Sequence, residues 1–335
     1  MTMQILISVL LVIIVFIILL TIAFKRWKKS KSRVMDDGDV MKTSNGEIHY
    51  NLIGEGPALF FMHGGPGGID QVTLIDDLVQ EGYSLLVVSR PGYLRTPFVP
   101  LSYEEQIDQY VELLNKLTID KVVVMGYSAG GPLALYFANN YPERTYALVM
   151  EAGVSTIFEN PSEEVMDSFL AKLFMSNRIQ DFMSWIAVIT IKIAFKMVFK
   201  SMLKIETLLD KEKINKFTEL VSNDKERKMW LKKLVDTTVP MSIRKLGLNH
   251  DLELLTSIEK IPVGNINAKS LLIYSKEDND VKWLNAEYLQ TNLRDFELFV
   301  THGGHLMWIG EDMDKIKSKR IEFLKSIFDN NSNKF

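Results

Sequence analysis

The chain has 335 residues, of which 47% are hydrophobic and 24% charged, and its formal net charge is −3 at pH 7. This length can bury a full core and favours one large domain with an insertion or an extension. There are no cysteines, which excludes disulfides and cysteine-rich metal sites. All the charges in residues 1–33 are basic, so the rest of the chain is acidic and a poor match for nucleic acid.

The first predicted element is an apolar helix from Ile5 to Phe24. Its twenty residues, at about 1.5 Å each, match a hydrocarbon core about 30 Å thick. The basic cluster from Lys25 to Arg33 follows the apolar run and no A-x-A-like stretch is present, which favours an anchor over a cleaved signal. The positive-inside rule then puts the body in the cytoplasm. We expect a single-pass membrane protein with an anchor at 1–24 and a basic, polar linker at 25–38.

The body is expected to begin with a hairpin, because Asn45-Gly46 separates two short strand-like runs. Strands then alternate with helices, which predicts a mostly parallel sheet with helices on both faces. We predict strands at 40–43, 47–53, 58–62, 84–88, 121–125, 146–150, 270–274 and 296–300, and helices at 69–80, 102–117, 132–138, 281–290 and 312–328. The alternation stops within 155–266, which indicates a helical cap inserted between core segments 39–154 and 267–330.

The segment Gly126-Tyr127-Ser128-Ala129-Gly130 is a G-x-S-x-G motif between a predicted strand and a predicted helix. A sharp turn there would expose the hydroxyl of Ser128 at the top of the sheet. A serine hydroxyl is a weak nucleophile that needs an adjacent base, an acid to hold the base, and donors for the developing oxyanion. Each of these groups is therefore expected elsewhere in the sequence.

The base is expected in the loop after the last predicted strand, which contains two of the five histidines, His302 and His305. This loop lies at the carboxyl end of a parallel strand, where ligands and catalytic groups collect. His305 is preferred because the two glycines before it let the imidazole reach back over the sheet edge. His302 is typical of a solvated loop histidine.

The acid is expected in the loop 275–280, after the strand that precedes the histidine strand. Asp278 is our choice and Asp280 its rival, although Asp280 also suits the N-cap of the helix that follows. Glu151, directly after another predicted strand, is a further alternative acid that could instead orient a substrate.

The oxyanion donors are expected to be backbone amides. One is the amide of Ala129, after the nucleophile, and the other comes from the loop His63 to Gly68, with Gly65 preferred and Gly64 as the alternative. That loop matches neither phosphate-binding glycine motif. The few histidines lack ligand spacing and the acidic clusters lack a binding-loop pattern, so neither a metal nor an organic cofactor is expected.

These motifs together resemble the α/β-hydrolase superfamily over residues 38–328. The resemblance rests on the order Ser128, Asp278, His305 and on the glycine-rich loop, the Arg90 to Tyr93 segment and the Gly-Gly-His near the end. It implies a serine hydrolase that forms an acyl-enzyme. The glycine-rich loop is similar to that of proline iminopeptidases, whereas Ala129 is more like esterases and monoacylglycerol lipases.

The resemblance leaves three functions open. The first is hydrolysis of a hydrophobic acyl or lipid-like ester, the second an iminopeptidase-like aminopeptidase activity, and the third a membrane-tethered binding protein without turnover. A helix predicted from Met183 to Lys204, with lysines every four residues, fits either a solvated cap helix or a basic amphipathic helix on anionic lipid. Its four lysines argue against a second membrane span. The expected partners are a small ester or lipid substrate and membrane lipid, and the oligomeric state stays open.

Overall fold

The computed structural model describes residues 2–158 and 176–332. Its centre is an eight-stranded sheet in the order β1-β2-β4-β3-β5-β6-β7-β8. The strands are β1 Asp39–Thr43, β2 Gly46–Ile53, β3 Ala58–Met62, β4 Ser84–Ser89, β5 Val122–Tyr127, β6 Thr145–Glu151, β7 Lys269–Ser275 and β8 Phe296–Thr301. The pairs β1–β2 and β2–β4 are antiparallel and the other pairs are parallel. The predicted strands and the opening hairpin are thereby confirmed.

Helices cover both faces of this sheet. Those of the described residues are α1 Thr2–Lys31, α2 Asp77–Gln80, α3 Tyr103–Lys116, α4 Gly131–Asn140, α5 Asn177–Ile193, α6 Phe195–Glu206, α7 Lys211–Asn223, α8 Lys225–Asp236, α9 Lys245–Thr256, α10 Leu284–Asn292 and α11 Met313–Ser332. Apolar side chains of α3, α4 and α10 pack on one face of the sheet, and those of α11 on the other. Strands β3 to β7 are therefore buried from both sides, whereas the edge strand β8 is only partly buried.

The chain between β6 and β7 is helical in its described part, from α5 to α9. Residues 159–175 of the predicted cap lie outside the described residues. A separate apolar cluster joins α6, α7 and α8 to the segment Gly304–Ile309, through Phe199, Phe217 and Leu306 among others. These helices consequently lie over the carboxyl edge of the sheet, where the loops with the predicted site residues are found.

The prediction of one helix over 69–80 was wrong. The structure has a 3₁₀ segment Ile69–Leu74, followed by the short α2. On α8, the Trp230 indole N–H and the Lys233 ammonium donate to the carbonyl oxygens of Leu74 and Thr73, at 3.2 and 2.9 Å. A continuous α-helix would use those carbonyl oxygens internally, so contacts with α8 replace its hydrogen bonds.

The prediction of one helix from Met183 to Lys204 was also wrong. Helices α5 and α6 meet at Ala194 with a bend of 117°. The bend lets Phe199 and Leu203 bury against α7, so tertiary packing overrides the continuous helical pattern. The lysine stripe is divided as a result, and Lys196 pairs with Glu219 at 2.7 Å.

Helix α1 is longer than the predicted anchor. The predicted linker at 25–38 is instead helical up to Lys31 and continues as a 3₁₀ segment, Ser32–Asp36. Lysine and arginine are good helix formers, and ion pairs from Lys28 to Asp181 and from Lys31 to Asp236, both 2.6 Å, fix this end. The apolar part has a mean hydropathy of 3.6 and is unburied, so α1 is long and apolar enough to be a membrane anchor or a signal sequence.

Candidate active site

Ser128 lies at the sharp turn between β5 and α4, with φ of 49°. A left-handed conformation is strained for a serine, and this strain is typical of a nucleophile elbow. Two glycines make the turn possible, because a Cβ at Gly130 would lie 2.1 Å from the Met62 carbonyl oxygen and one at Gly126 would lie 2.8 Å from the Ala134 Cβ. The small residues of the motif are thus required by close packing against β3 and α4.

The structure brings Ser128, Asp278 and His305 together from the loops after β5, β7 and β8. The His305 Nε2 atom is 3.1 Å from Ser128 Oγ, and its Nδ1 atom is 2.9 Å from Asp278 Oδ2. The other oxygen of Asp278 accepts the backbone N–H groups of Asp280 and Val281 at 2.9 and 2.8 Å. The carboxylate can therefore hold the ring, and the ring can accept the serine proton.

Three carboxylates surround the His305 ring. Burial alone would lower the pKa of His305, but the charges of Asp278 and Asp280, with a contribution from Glu206, raise that pKa to about 10. Asp280 Oδ2 lies 3.4 Å from Nε2, on the side that faces Ser128. The imidazolium is thus favoured in this arrangement, and a nearby positive charge would shift the ring toward its neutral form.

Two further carboxylates, Asp280 and Glu206, lie beside the His305 ring. Neither belongs to the chain of contacts from Asp278 through His305 to Ser128. Glu206 ends α6, and burial together with Asp280 and Asp278 raises its pKa, while His305 opposes the shift. The prediction of Asp280 as an N-cap was wrong, because α10 begins only at Leu284 and its N-cap residue, Trp283, makes no side-chain cap bond. Asp278 instead accepts the backbone amides at the start of this turn.

The glycine-rich loop after β3 lies beside Ser128, since β3 and β5 are neighbours. The amide of Gly64 donates to Gln71 Oε1 at 2.8 Å, so this candidate donor is already engaged. The amide of Gly65 has no partner among the described residues, and a Cβ at Gly65 would be 3.5 Å from the Cβ of Ala129. The geometry therefore favours Gly65 over Gly64 as the second donor beside Ala129.

Buried arginines hold the glycine-rich loop, a feature that the sequence analysis missed. Arg90, 2% exposed, donates to the carbonyl oxygen of His63 and pairs at 2.6 Å with Asp251 on α9, which also accepts the hydroxyl of Tyr93 at 2.5 Å. The Arg90 to Tyr93 segment was visible as a motif, but its partner lies 161 positions away. The local sequence therefore shows Arg90 but gives no indication that Asp251 is its partner.

A second arginine ties the same loop to the helices above it. Arg244, immediately before α9, donates to the carbonyl oxygen of Gly67 and pairs at 2.5 Å with Asp70. The arginine is fully buried. Both contacts fix the loop from the segment between β6 and β7.

The remaining candidates lie away from the nucleophile. Glu151 accepts the Trp308 indole N–H at 2.6 Å and pairs with Arg320 at 2.7 Å, so this carboxylate is occupied and does not face Ser128. The His302 side chain is 67% exposed and points toward Glu277, as expected for a solvated loop histidine. Among the described residues no group of three or more metal-ligating side chains occurs.

Comparison with known proteins identifies the fold family. Residues 57–312 match the family model described as alpha/beta hydrolase fold. The Bacillus subtilis protein named uncharacterized hydrolase YcgS is 27% identical over 293 residues, covering 84% of this chain and 96% of that protein. A Burkholderia cepacia 2-hydroxy-6-oxo-6-phenylhexa-2,4-dienoate hydrolase is 25% identical over 292 residues, covering 84% of this chain and 92% of that protein.

A solved structure shows the same architecture. The alpha/beta hydrolase fold protein from Nakamurella multipartita superposes with a TM-score of 0.72 at 24% identity, covering 86% of this chain and 99% of that one. At this identity the likeness concerns the fold. With the family match over most of the body, it follows that the chain belongs to the α/β-hydrolase fold family and is a hydrolase of that fold.

Proposed function

We propose that the protein is a membrane-anchored serine hydrolase that cleaves carboxylic esters with a hydrophobic acyl group. The observation that carries the proposal is the continuous chain from Asp278 through His305 to Ser128, with heavy-atom distances of 2.9 and 3.1 Å. Each of the three groups comes from a different loop. Nothing in the packing of the sheet requires these three residue types at those positions.

In the proposed reaction Ser128 Oγ attacks the ester carbonyl carbon while His305 Nε2 takes the hydroxyl proton. The amides of Ala129 and Gly65 stabilise the oxyanion that forms on the carbonyl oxygen. Protonation of the leaving alcohol by His305 breaks the ester bond and leaves an acyl-enzyme. Water, deprotonated by the same ring, then releases the carboxylic acid and restores Ser128.

The anchoring part of the proposal rests on α1. Its apolar stretch is exposed from Ile5 to Ala23, and its basic residues follow that stretch, so we assign 1–24 to a membrane anchor with the body in the cytoplasm. Residues 39–154 and 267–330 form the proposed hydrolase core, and 155–266 the proposed cap. Helix α5 exposes Phe182, Ile186 and Ile193 next to α1, which supports a contact of the cap with the bilayer.

A second function is favoured by one specific observation. The carboxylates of Asp280 and Glu206 both interact electrostatically with His305, and Asp280 lies 3.4 Å from its Nε2 atom, which makes the surroundings of Ser128 negative. A substrate ammonium bound there would be neutralised and would also lower the pKa of His305 toward that of a working base. An aminopeptidase that cleaves an amino-terminal residue is therefore the alternative to the esterase.

Labelling and turnover separate these functions. The full-length protein in detergent is expected to react with a fluorophosphonate probe and to hydrolyse p-nitrophenyl esters, and Ser128→Ala should abolish both. Ser222→Ala, on α7, is the matched control and should behave like the wild type. Faster turnover of aminoacyl p-nitroanilides than of esters would favour the aminopeptidase. Folded protein that is never labelled would support the binding protein without turnover.

The orientation has an independent test because the chain has no native cysteine. Single cysteines at Met3 and at Glu104 can be exposed to a membrane-impermeant maleimide in intact cells. We expect labelling at position 3 and none at position 104 until the cells are opened. The reverse pattern, or loss of position 3 from the mature protein, would contradict the proposed anchor.

A further inference from the structure

A cleft of about 280 Å³ lies between helices α5, α6 and α8, away from Ser128 and His305. Apolar side chains form most of its lining, namely Val188, Ile191, Phe195, Leu231 and Val235. Its volume equals that of roughly nine waters at about 30 Å³ each. The cleft can therefore accept a group of the size of a glycerophosphate with the first methylenes of an acyl chain.

Three lysines surround this apolar lining. Lys232 pairs with Asp236 at 2.8 Å, and Asp236 also binds Lys31 of α1 at 2.6 Å. Lys192 and Lys228 form no ion pair with any carboxylate of the described residues, and Lys228 lies 5.9 Å from the ring centroid of Phe195. The lining thus carries three ammonium groups and one carboxylate, and that carboxylate also pairs with Lys31, so the cleft has an excess of positive charge and suits an anionic ligand.

The position of α1 places this cleft at the level of a membrane surface. The ring of Phe24, the last residue of the apolar stretch, lies 5.6 Å from the rings of Phe182 and Trp185 on α5. Lys31 follows Phe24 by seven residues, or about 10 Å of helix. The polar region of one leaflet is about 5–7 Å thick, so the Lys31–Asp236 pair lies just beyond it. Asp236 also lines the cleft, so the cleft borders the lipid headgroups.

We propose that this cleft binds one anionic phospholipid from the leaflet that α1 enters. Its phosphate lies between Lys192 and Lys228, its glycerol and first methylenes contact Ile191 and Leu231, and its acyl chains remain in the bilayer. The inference rests on the proposed membrane anchoring of α1, and it is independent of the chemistry at Ser128. A bound lipid would join α5 to α8 and fix the helices over the active site relative to the bilayer.

The test uses the full-length protein in a neutral detergent and native mass spectrometry. Phosphatidylglycerol is expected to give a one-to-one adduct, and phosphatidylcholine at the same concentration a weaker one. The double variant Lys192→Gln/Lys228→Gln should bind phosphatidylglycerol at least about tenfold more weakly, since each lysine near an anionic surface contributes about fivefold. The matched variant Lys211→Gln/Lys225→Gln removes the same charge elsewhere on the helices and should bind like the wild type.

Two further binding measurements identify the ligand. Free glycerol 1-phosphate should bind far more weakly than the lipid, and Ile191→Trp should weaken lipid binding by filling the apolar lining without changing charge. Equal binding of both lipids, or an unchanged adduct in the Lys192→Gln/Lys228→Gln protein, would overturn the proposal. Glycerol 1-phosphate binding as tightly as the lipid would also overturn it. Fluorophosphonate labelling of the same samples reports Ser128 separately, and the cysteine labelling at position 3 reports the anchor.

Discussion

Two buried carboxylates near the ends of neighbouring strands, Glu151 as the last residue of β6 and Asp278 in the loop after β7, have very different surroundings. Both are almost fully buried, with 4% and 1% exposed, and both were candidate acids on the sequence pattern alone. Glu151 pairs with Arg320, a cation that keeps its charge at all relevant pH values. Asp278 contacts the imidazole of His305, whose charge can change.

The contrast separates a structural carboxylate from one that can take part in proton transfer. Trp308 and Arg320 satisfy both oxygens of Glu151 and link β6 to α11. Asp278 is held by two backbone amides on one oxygen, so its other oxygen stays aimed at His305. A permanent cation partner stabilises a fold, whereas a titratable partner that also contacts a serine can move a proton.

The largest effect is expected for Asp278→Asn. The amide lacks the negative charge that holds the neutral imidazole with its Nε2 atom free to accept the Ser128 proton, so kcat should fall about 10⁴-fold. The measurement is kcat for p-nitrophenyl ester hydrolysis by protein whose folding is checked by circular dichroism. If Asp278→Asn is nearly as active as the wild type and Asp280→Asn is not, the rival acid is the correct one.

The next effect concerns stability. Glu151→Gln leaves the buried Arg320 without its counter-charge, which should lower the free energy of unfolding by about 3 kcal/mol. Denaturant unfolding followed by tryptophan fluorescence measures the change. The rate per fluorophosphonate-titrated site should stay within a few-fold of the wild type.

A double variant tests whether the lost stability comes from the unpaired charge. Glu151→Leu with Arg320→Met removes both charges and should recover much of the stability, because well-packed apolar residues can replace a buried ion pair. A large loss of rate per titrated site in Glu151→Gln would mean that this carboxylate belongs to the reaction after all, and the contrast with Asp278 would fail.

The sheet could be predicted from the sequence because its signals are local. The apolar runs from Ala58 to Met62 and from Lys121 to Met125 are bounded by turn residues, and each matches an observed strand within two residues. The site motifs are local as well. The elbow around Ser128 and the glycines before His305 show their geometry in a few neighbouring residues.

The features that were missed depend on distant partners. The sequence around Glu151 gives no indication of its pairing with Arg320, and the sequence around Arg90 gives none of its pairing with Asp251. The break at Ala194 similarly follows from the burial of Phe199 against α7 rather than from a helix-breaking residue. Tertiary contacts of this kind decide which of several plausible carboxylates is structural, so the sequence left both Glu151 and Asp280 open.

The smallest expected effect is a shift in pH dependence, and Asp280→Asn tests it. The base must be neutral to accept a proton, and the pKa of His305 is raised to about 10, so kcat/KM of the wild type should rise with pH through the alkaline range. Removing the Asp280 charge 3.4 Å from Nε2 lowers that pKa and moves the rising limb to lower pH by about one unit. At pH 7 the variant should then be up to about tenfold faster on a neutral ester.

The control is Glu277→Gln, which removes the same charge from the same loop. Glu277 faces His302 and Lys213 rather than His305, so its loss should not shift the pH at which kcat/KM rises. Coincident pH profiles for Asp280→Asn and the wild type would show that Asp280 does not set the charge of the base. Equal shifts in both variants would show a general effect of loop charge. A shift confined to Asp280→Asn would extend the contrast with Glu151, because a second carboxylate would then act on the charge of His305.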